Sequence, residues 1–380
     1  MDRSPHADPW SVSETALYHS LRERFGSGEK TVLATIVDVE GSAYRRPGAK
    51  MLISADSESL GAVTAGCLEG TVIEDATHVF ETAEPQLEIY DLTDDDEWGL
   101  GIGCNGIISI LFEPVDKSIG AALELIGERK SATVHTVIDA DDSAVSIGDR
   151  LVSGPDGTRV ETETRELSDS VVAALDSSVA DDSRTSRAEV STENGSVTIY
   201  TERIDPAPRL LLFGNQNDIH PVSRVGRDVG FEVVVASARG AKSSTDEFQY
   251  AHEVVSSHPT SIADYTDELT YPVLMSHNFI DDRLALETLL TDSAVPYVGL
   301  MGPRKRFEEM QTAFANEGQE FSDEQLERIA TPVGLDLGGG EPVQIALSIV
   351  SEVLAVHKDR TGGRLKEKNG PVHERAPALS

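Results

Sequence analysis

The chain has two cysteines, and Phe, Trp and Tyr together make up only 5% of it. Two thiols cannot build a disulfide framework, so the fold must hold by burial alone. That suits a reducing cytoplasm and leaves both thiols for other work. With so few aromatics, the interiors must rest on Val, Ile, Leu and Ala. No apolar run reaches the roughly 18–20 residues of a membrane span. The opening MDRSPHADPWSVSE lacks the apolar stretch of a signal peptide. Basic residues are also short: 32 Lys and Arg against 66 Asp and Glu give 32 − 66 = −34. Such a surface repels nucleic acid and anionic lipid, so neither is an expected partner. The acid is spread along the whole chain, a halophilic pattern in which high salt would screen the self-repulsion.

What is present fits two domains, because 380 residues with 39% hydrophobic content exceed one ordinary core. A polar lead-in with apolar residues at Val12, Ala16, Leu17, Leu21 and Phe25 predicts a short helix. TVLATIVDVEGS and KMLISADSESLGAVTAG read as strands, Leu68 to Phe80 as a helix, and LEIYDL and IISILF as strands again. ALELIGER and ATVHTVIDA follow as helix and strand. Residues 150–196 are rich in Ser, Thr, Asp and Glu, and predict weak strands, one helix and surface loops. GSVTIYTERI closes this first domain, 1–205, and DPAP is a stiff linker.

The texture then changes. RLLLFG, FEVVVAS, YPVLMSH and VPYVGLMG are short, nearly continuous apolar runs, as strands buried on both faces require. Helical patterns lie between them, and a last helix runs from Pro342 to about Lys358. The alternation predicts an α/β fold with a doubly wound parallel sheet over 206–360, followed by a loose tail, 361–380.

In such a sheet, ligands bind beyond the carboxyl ends of the strands. The residues there are Gly214 to Asp218, with Asn215 and Gln216 among them, then Ser237 to Arg239, then His277 and Asn278, then Gly302 to Arg306, with Arg304 among them. FGNQNDIH holds the place of a dinucleotide loop, but Gln216 stands where its second glycine would admit a pyrophosphate. No acid for a ribose diol ends the second strand, so ordinary NAD binding is disfavoured. Ser237 with Arg239 would suit a 2′-phosphate or another ligand; a tight turn that binds nothing is the bland reading. GPRKRFEE places three cations at a helix start, a natural anion site unless they pair with nearby acids. His277 is either a general base or a residue that orients its loop.

The first domain has a parallel feature. In GSAYRRPGAKM, Arg45, Arg46 and Lys50 bracket Pro47-Gly48, so a rigid turn carries three cations, read as an anion site or as surface ion pairs. Cys67 falls at a predicted helix start, where the dipole favours a thiolate, and Cys104 precedes an Asn-Gly turn. Both are candidate thiols or small buried hydrophobes. No CxxC or His pair marks a zinc site. Glu69 reads as a first-turn acid favoured by the helix dipole, with a base as the alternative.

These motifs, in this order, resemble the XdhC/CoxI family. GSAYRRPGAKMLIS, LGAVTAGCLEG and GLGIGCNG look like its N-terminal domain. FGNQNDIHPVSRVGRDVGFEVVVASAR, SHNFIDD, YVGLMGPRKR and TPVGLDLGGGEPVQIALSIVSEV look like its Rossmann-type companion. The match spans roughly residues 10–365. The resemblance implies a maturation factor, more a binder than a catalyst, that holds molybdenum cofactor and delivers it to a xanthine dehydrogenase or carbon monoxide dehydrogenase-like client. The resemblance also implies a separate cysteine desulfurase that sulfurates the cofactor. It points to Arg45, Arg46, Cys67 and Cys104 in the first domain, and to the Gly214 loop and Arg304–Arg306 in the second. Gln216 and Ser237 depart from the family pattern, which makes NAD(P) binding doubtful, and GCNG stands where relatives often have CGG. An NAD(P)-dependent oxidoreductase and a cofactor-sulfurating enzyme are the alternatives. The glycine-rich strands of the first domain would offer an edge for a homodimer.

Overall fold

Seven consecutive positions of the first strand are buried, so β1 (Thr31–Gly41) has something apolar on both faces. Val32, Ala34 and Ile36 lie in one core cluster with α2 (Glu69–Thr82), while Leu33 and Val37 face a second sheet. The computed structural model describes residues 8–92, 106–176, 184–238 and 246–367. The chain divides into two compact units, with the junction between Pro206 and Ala207.

In the first unit, β1 is joined by β2 (Lys50–Ser54), β3 (Ser59–Gly61), β4 (Gln86–Asp91) and β5 (Gly106–Pro114) in the antiparallel order β3-β2-β1-β5-β4. A second sheet contains β6 (Ala132–Ala140), β7 (Arg150–Ser153), β8 (Arg159–Val160), β9 (Thr185–Ser191) and β10 (Ser196–Ile204), in the order β8-β7-β6-β10-β9. The two orders are the same. Each sheet also inserts a helix between its third and fourth strands, α2 in one and Asp169–Asp176 in the other.

The backbone repeats in detail. The β1–β5 ladder skips Val37, and the β6–β10 ladder skips Ile138. Gly48 at φ 94° and Gly148 at φ 90° turn the chain into the second strand of each sheet. Their N–H groups donate to Ile36 O at 2.8 Å and Val137 O at 2.9 Å. The first unit is therefore one module built twice. The segment 150–196, in which the sequence suggested weak strands, one helix and surface loops, supplies three strands and the helix of the second module.

The modules are joined through a polar layer. Lys50 Nζ sits 2.5 and 2.6 Å from the carboxylate oxygens of Glu202, and Arg150 pairs with Glu113. Base and acid come from opposite modules each time, and all four residues are buried. These pairs line a cavity of about 30 Å³, together with Tyr18 from α1 (Glu14–Ser27) and Tyr200. Both tyrosine hydroxyls are buried with no partner among the described residues. The space would admit a water or two at roughly 10–15 Å³ each.

The second unit is parallel throughout. β11 (Arg209–Phe213), β12 (Glu232–Ser237), β13 (Glu253–Ser256), β14 (Thr270–Leu274), β15 (Val298–Leu300) and β16 (Ile329–Ala330) run in the order β13-β12-β11-β14-β15-β16. One face packs Leu210, Leu212 and Val233 against Val222, Ile349 and Val353; the other packs Leu211, Phe213 and Val234 against Leu286, Leu289 and Phe314. Two-sided burial explains the unbroken apolar runs. Four of these strands were legible in the sequence. The two further strands, β13 and β16, are short and only partly buried edges, with little apolar pattern to read.

Candidate functional site

Antiparallel pairing brings three connections to one edge of the first module. The 42–49 turn leads into β2, the 62–68 loop leaves β3, and β5 opens at Gly106 opposite Gly41. A Cβ at Gly106 would come within 2.7 Å of the Glu40 and Ser42 carbonyl oxygens, so only glycine lets the strands approach there. Cys104 lies outside the described residues.

Trp10 links the first two connections. Its ring lies 6.0 Å from Tyr44 at 32°, and its indole N–H donates to Thr64 O at 3.2 Å. Thr64 in turn donates from its backbone N–H to Glu69 Oε1 at 3.1 Å and from its hydroxyl to Glu69 Oε2 at 2.7 Å. The same hydroxyl accepts from the N–H groups of Gly66 and Leu68, both at 3.3 Å. Glu69 thus acts as a structural first-turn acid that clasps the Cys67 loop over the start of α2. Cys67 is half-buried beside the module core.

Arg45 is half-buried, Arg46 is exposed, and neither guanidinium has an ion-pair or hydrogen-bond partner among the described residues. Lys50 differs from them. It was grouped with the cations of the turn, yet it faces inward to Glu202, because β2 alternation points it at the second sheet. Among the described residues, the edge therefore presents two free guanidiniums, a thiol loop and two exposed aromatic rings.

In the second unit, Gly214, Ser237, His277 and Gly302 follow or end four adjacent parallel strands, and so share the carboxyl edge. Gly214 abuts β14: a Cβ there would meet Met275 O at 2.7 Å. Asn215 and Gln216 lie in the loop after it, and Gln216 is exposed. His277 has a left-handed φ of 59°, and its Nε2 is 2.6 Å from Asp218 Oδ2. That contact spans the gap between the β11 and β14 loops, the switch point of the strand order. The Ser237 hydroxyl is buried without a partner among the described residues. Arg239 lies outside those residues.

The basic run at 304–306 separates by role. Arg306 donates to the buried carboxylate of Asp282 at 2.7 Å, which also accepts from the Ser276 hydroxyl at 2.6 Å. It is tied into the scaffold between two helix starts. Lys305 lies 3.9 Å from Glu309, and Arg304 is exposed at the first turn of a 14-residue helix, with no partner among the described residues. Arg304 keeps its charge and the helix N-terminus available to an anion. Trp10, Tyr44 and Thr64 went unread as site residues, since only tertiary contact joins Trp10 to a turn 34 positions away, whereas Asp218 stood in the loop 214–218 that the sequence placed at this edge.

Among the described residues no group of three His, Cys, Asp or Glu side chains is placed to hold a metal ion, and no helix is long and apolar enough to cross a membrane. A twice-built β-rich module with a cationic edge, followed by a Rossmann-type sheet in the order β13-β12-β11-β14-β15-β16, defines a two-unit α/β scaffold. Family models agree with that division: "XdhC and CoxI family" matches residues 25–91 and "XdhC Rossmann domain" matches residues 210–353. The chain belongs to the XdhC/CoxI family.

A Bacillus subtilis (strain 168) protein, named as a probable xanthine dehydrogenase subunit, is 28% identical over 336 residues, 87% of this chain and 94% of that one. A crystal structure described as a xanthine dehydrogenase from Bacillus halodurans superposes with a TM-score of 0.71 at 26% identity, covering 92% of this chain and 97% of that one. The uncharacterized Escherichia coli K12 protein YqeB is 22% identical over 182 residues, 47% of this chain and 32% of its own.

Proposed function

We propose that the chain is a cytoplasmic maturation factor for a xanthine-dehydrogenase-like molybdenum hydroxylase, which takes up the molybdenum cofactor and hands it to that client. Family membership and the names of its relatives support the maturation role. One observation carries the ligand: Arg45 and Arg46 are unpaired among the described residues, beside the Cys67 loop, in a chain with a net charge of −34. Free cations are rare where acid outnumbers base two to one, and a guanidinium pair grips a phosphate in bidentate fashion. The fit to the cargo is good, since the edge offers cations for its phosphate and a thiol for its soft end. Taken by itself, the carboxyl edge of the second unit, with Gly214, Asn215, Gln216, Ser237, His277, Gly302 and Arg304, would take an anionic or nucleotide ligand of its own, with Arg306 holding the edge in shape. Sulfur for the cofactor comes from a separate cysteine desulfurase.

The test is purification in molar potassium chloride without oxygen, followed by oxidation and fluorescence of any bound pterin, and by activation of a cofactor-free client. Retained pterin and client activation are expected. A wild-type chain that carries none and leaves client activation unchanged rules the reading out. A second reading has its own observation, the half-buried thiol in a clasped loop. If the chain instead carries sulfur on Cys67, Cys67→Ser abolishes sulfur transfer; as a binder it keeps part of its pterin.

A further inference from the structure

We infer that Trp10 and Tyr44 form a stacking ledge for the planar bicyclic ring of the ligand whose phosphate the neighbouring arginines take; this rests on the reading just given. Aromatic rings are scarce in this chain, and Tyr18, Tyr90, Tyr200, Tyr271 and Tyr297 are all buried. Tyr44 is 58% exposed and Trp10 37% exposed. Their rings lie 6.0 Å apart and tilted by 32°, a loose wedge with π surface facing outward. The indole N–H is already engaged by Thr64 O, which fixes the ring without using its face.

Packing for stability alone does not account for the pair, and the protein contains its own control. In the second module the matching turn reads Ala144, Val145 and Ser146 where the first reads Tyr44, Arg45 and Arg46. That turn closes with the same hydrogen bonds: Ala49 N–H to Arg46 O and Asp149 N–H to Ser146 O, both 3.0 Å. The fold of the turn therefore needs neither the aromatic ring nor the cations. Stacking on an aromatic side chain tolerates many heterocycles, because each of them has a π face. A fused nitrogen heterocycle bearing a phosphate is the chemistry that uses ring and cation together.

The test uses Trp10 as its own reporter. Replacing Trp98→Phe leaves Trp10 as the only tryptophan of the two in the chain. Guanosine 5′-monophosphate, a phosphate-bearing bicyclic ring, should quench its fluorescence in a saturable way. Ribose 5-phosphate, which lacks the ring, should bind more weakly and leave the emission unchanged. Tyr44→Ala should weaken the nucleotide at least tenfold, about 1.4 kcal/mol, while Tyr44→Phe stays within twofold and circular dichroism is unchanged in both. Equal binding of the two probes, or an unaltered affinity in Tyr44→Ala, overturns the ledge. Its failure is distinct from that of the maturation role. If the wild type retains pterin and Trp10→Ala and Tyr44→Ala retain as much, only the ledge falls; a wild type that carries none removes the role itself.

Discussion

The two modules of the first unit share strand order, bulge, glycine turn and a buried base at the start of the second strand, yet they differ at one edge. The first module presents Tyr44, Arg45 and Arg46 where the second presents Ala144, Val145 and Ser146, and Val145 is buried. The first joins its last two strands through residues 92–105, the second through a tight turn at 192–195. What is held in common lies between the modules, and what differs lies at a rim. A scaffold needs the shared part in both copies; a ligand needs its loops only once. The comparison separates residues that both modules need for the fold from residues that only the first module carries.

The largest effect should come from breaking the shared layer. Lys50→Met leaves Glu202 buried and unpaired, which costs about 3–5 kcal/mol. Combining Lys50→Met with Glu202→Leu removes both charges and should restore most of the loss. Urea unfolding of the two variants measures it. A single variant within about 1 kcal/mol of wild type would mean the pair does not join the modules.

Next comes the loop that distinguishes the first module. The second ties its corresponding connection to Arg150, whose backbone donates to Arg165 O at 2.7 Å and accepts from Leu167 N–H at 2.9 Å. The first relies on Thr64 and Glu69 instead. Thr64→Val removes a charge-assisted bond, with a loss of about 1.5–3 kcal/mol, and should speed alkylation of Cys67. An unchanged alkylation rate shows that the clasp does not order the thiol loop.

The sharpest form of the comparison is to rewrite one turn as the other. Tyr44→Ala, Arg45→Val and Arg46→Ser together should leave unfolding within about 1 kcal/mol of wild type and lower pterin retention at least tenfold, equivalent to about 1.4 kcal/mol. Val145→Ala should do the reverse: it deletes two buried methyl-sized groups at about 0.8 kcal/mol each and leaves retention alone. If both variants lose stability and neither loses ligand, the rim of the first module is scaffold like that of the second.

Much of the second unit was legible because two-sided burial writes itself into sequence as unbroken apolar runs such as RLLLF and EVVVAS. The carboxyl-edge residues followed from those strands. The duplication was not legible, because what the modules share is backbone geometry plus a few positions: Gly48 and Gly148, Lys50 and Arg150, Glu113 and Glu202. A lysine changed to arginine amid unrelated neighbours carries no periodic signal. Lys50 read as a surface cation for the same reason, since its partner lies 152 positions away. Arg45, Arg46 and Cys67 could be picked out by residue type and turn context, but not their union through Trp10.

The smallest effect concerns a place where the shared layer is itself unequal. The ladders set Leu111 opposite Thr35 in one module and Tyr200 opposite Thr136 in the other, so the polar cavity receives a phenol from one side only, with Tyr18 supplied by α1. Burial, and then the Glu202 carboxylate, push both phenols well above their ordinary range. Each keeps its proton when folded and sheds it when unfolded above pH of about 10. Their stabilising contribution is whole below that pH and is lost as pH rises past it, by about 1.4 kcal/mol per pH unit for each proton. Tyr200→Phe should flatten that alkaline decline by one proton and change stability little at neutral pH, because its hydroxyl has no partner among the described residues. Unfolding followed from pH 9 to 11 in both proteins decides it. Parallel curves would place the Tyr200 hydroxyl in contact with solvent, and the inequality between the modules would then have no electrostatic consequence.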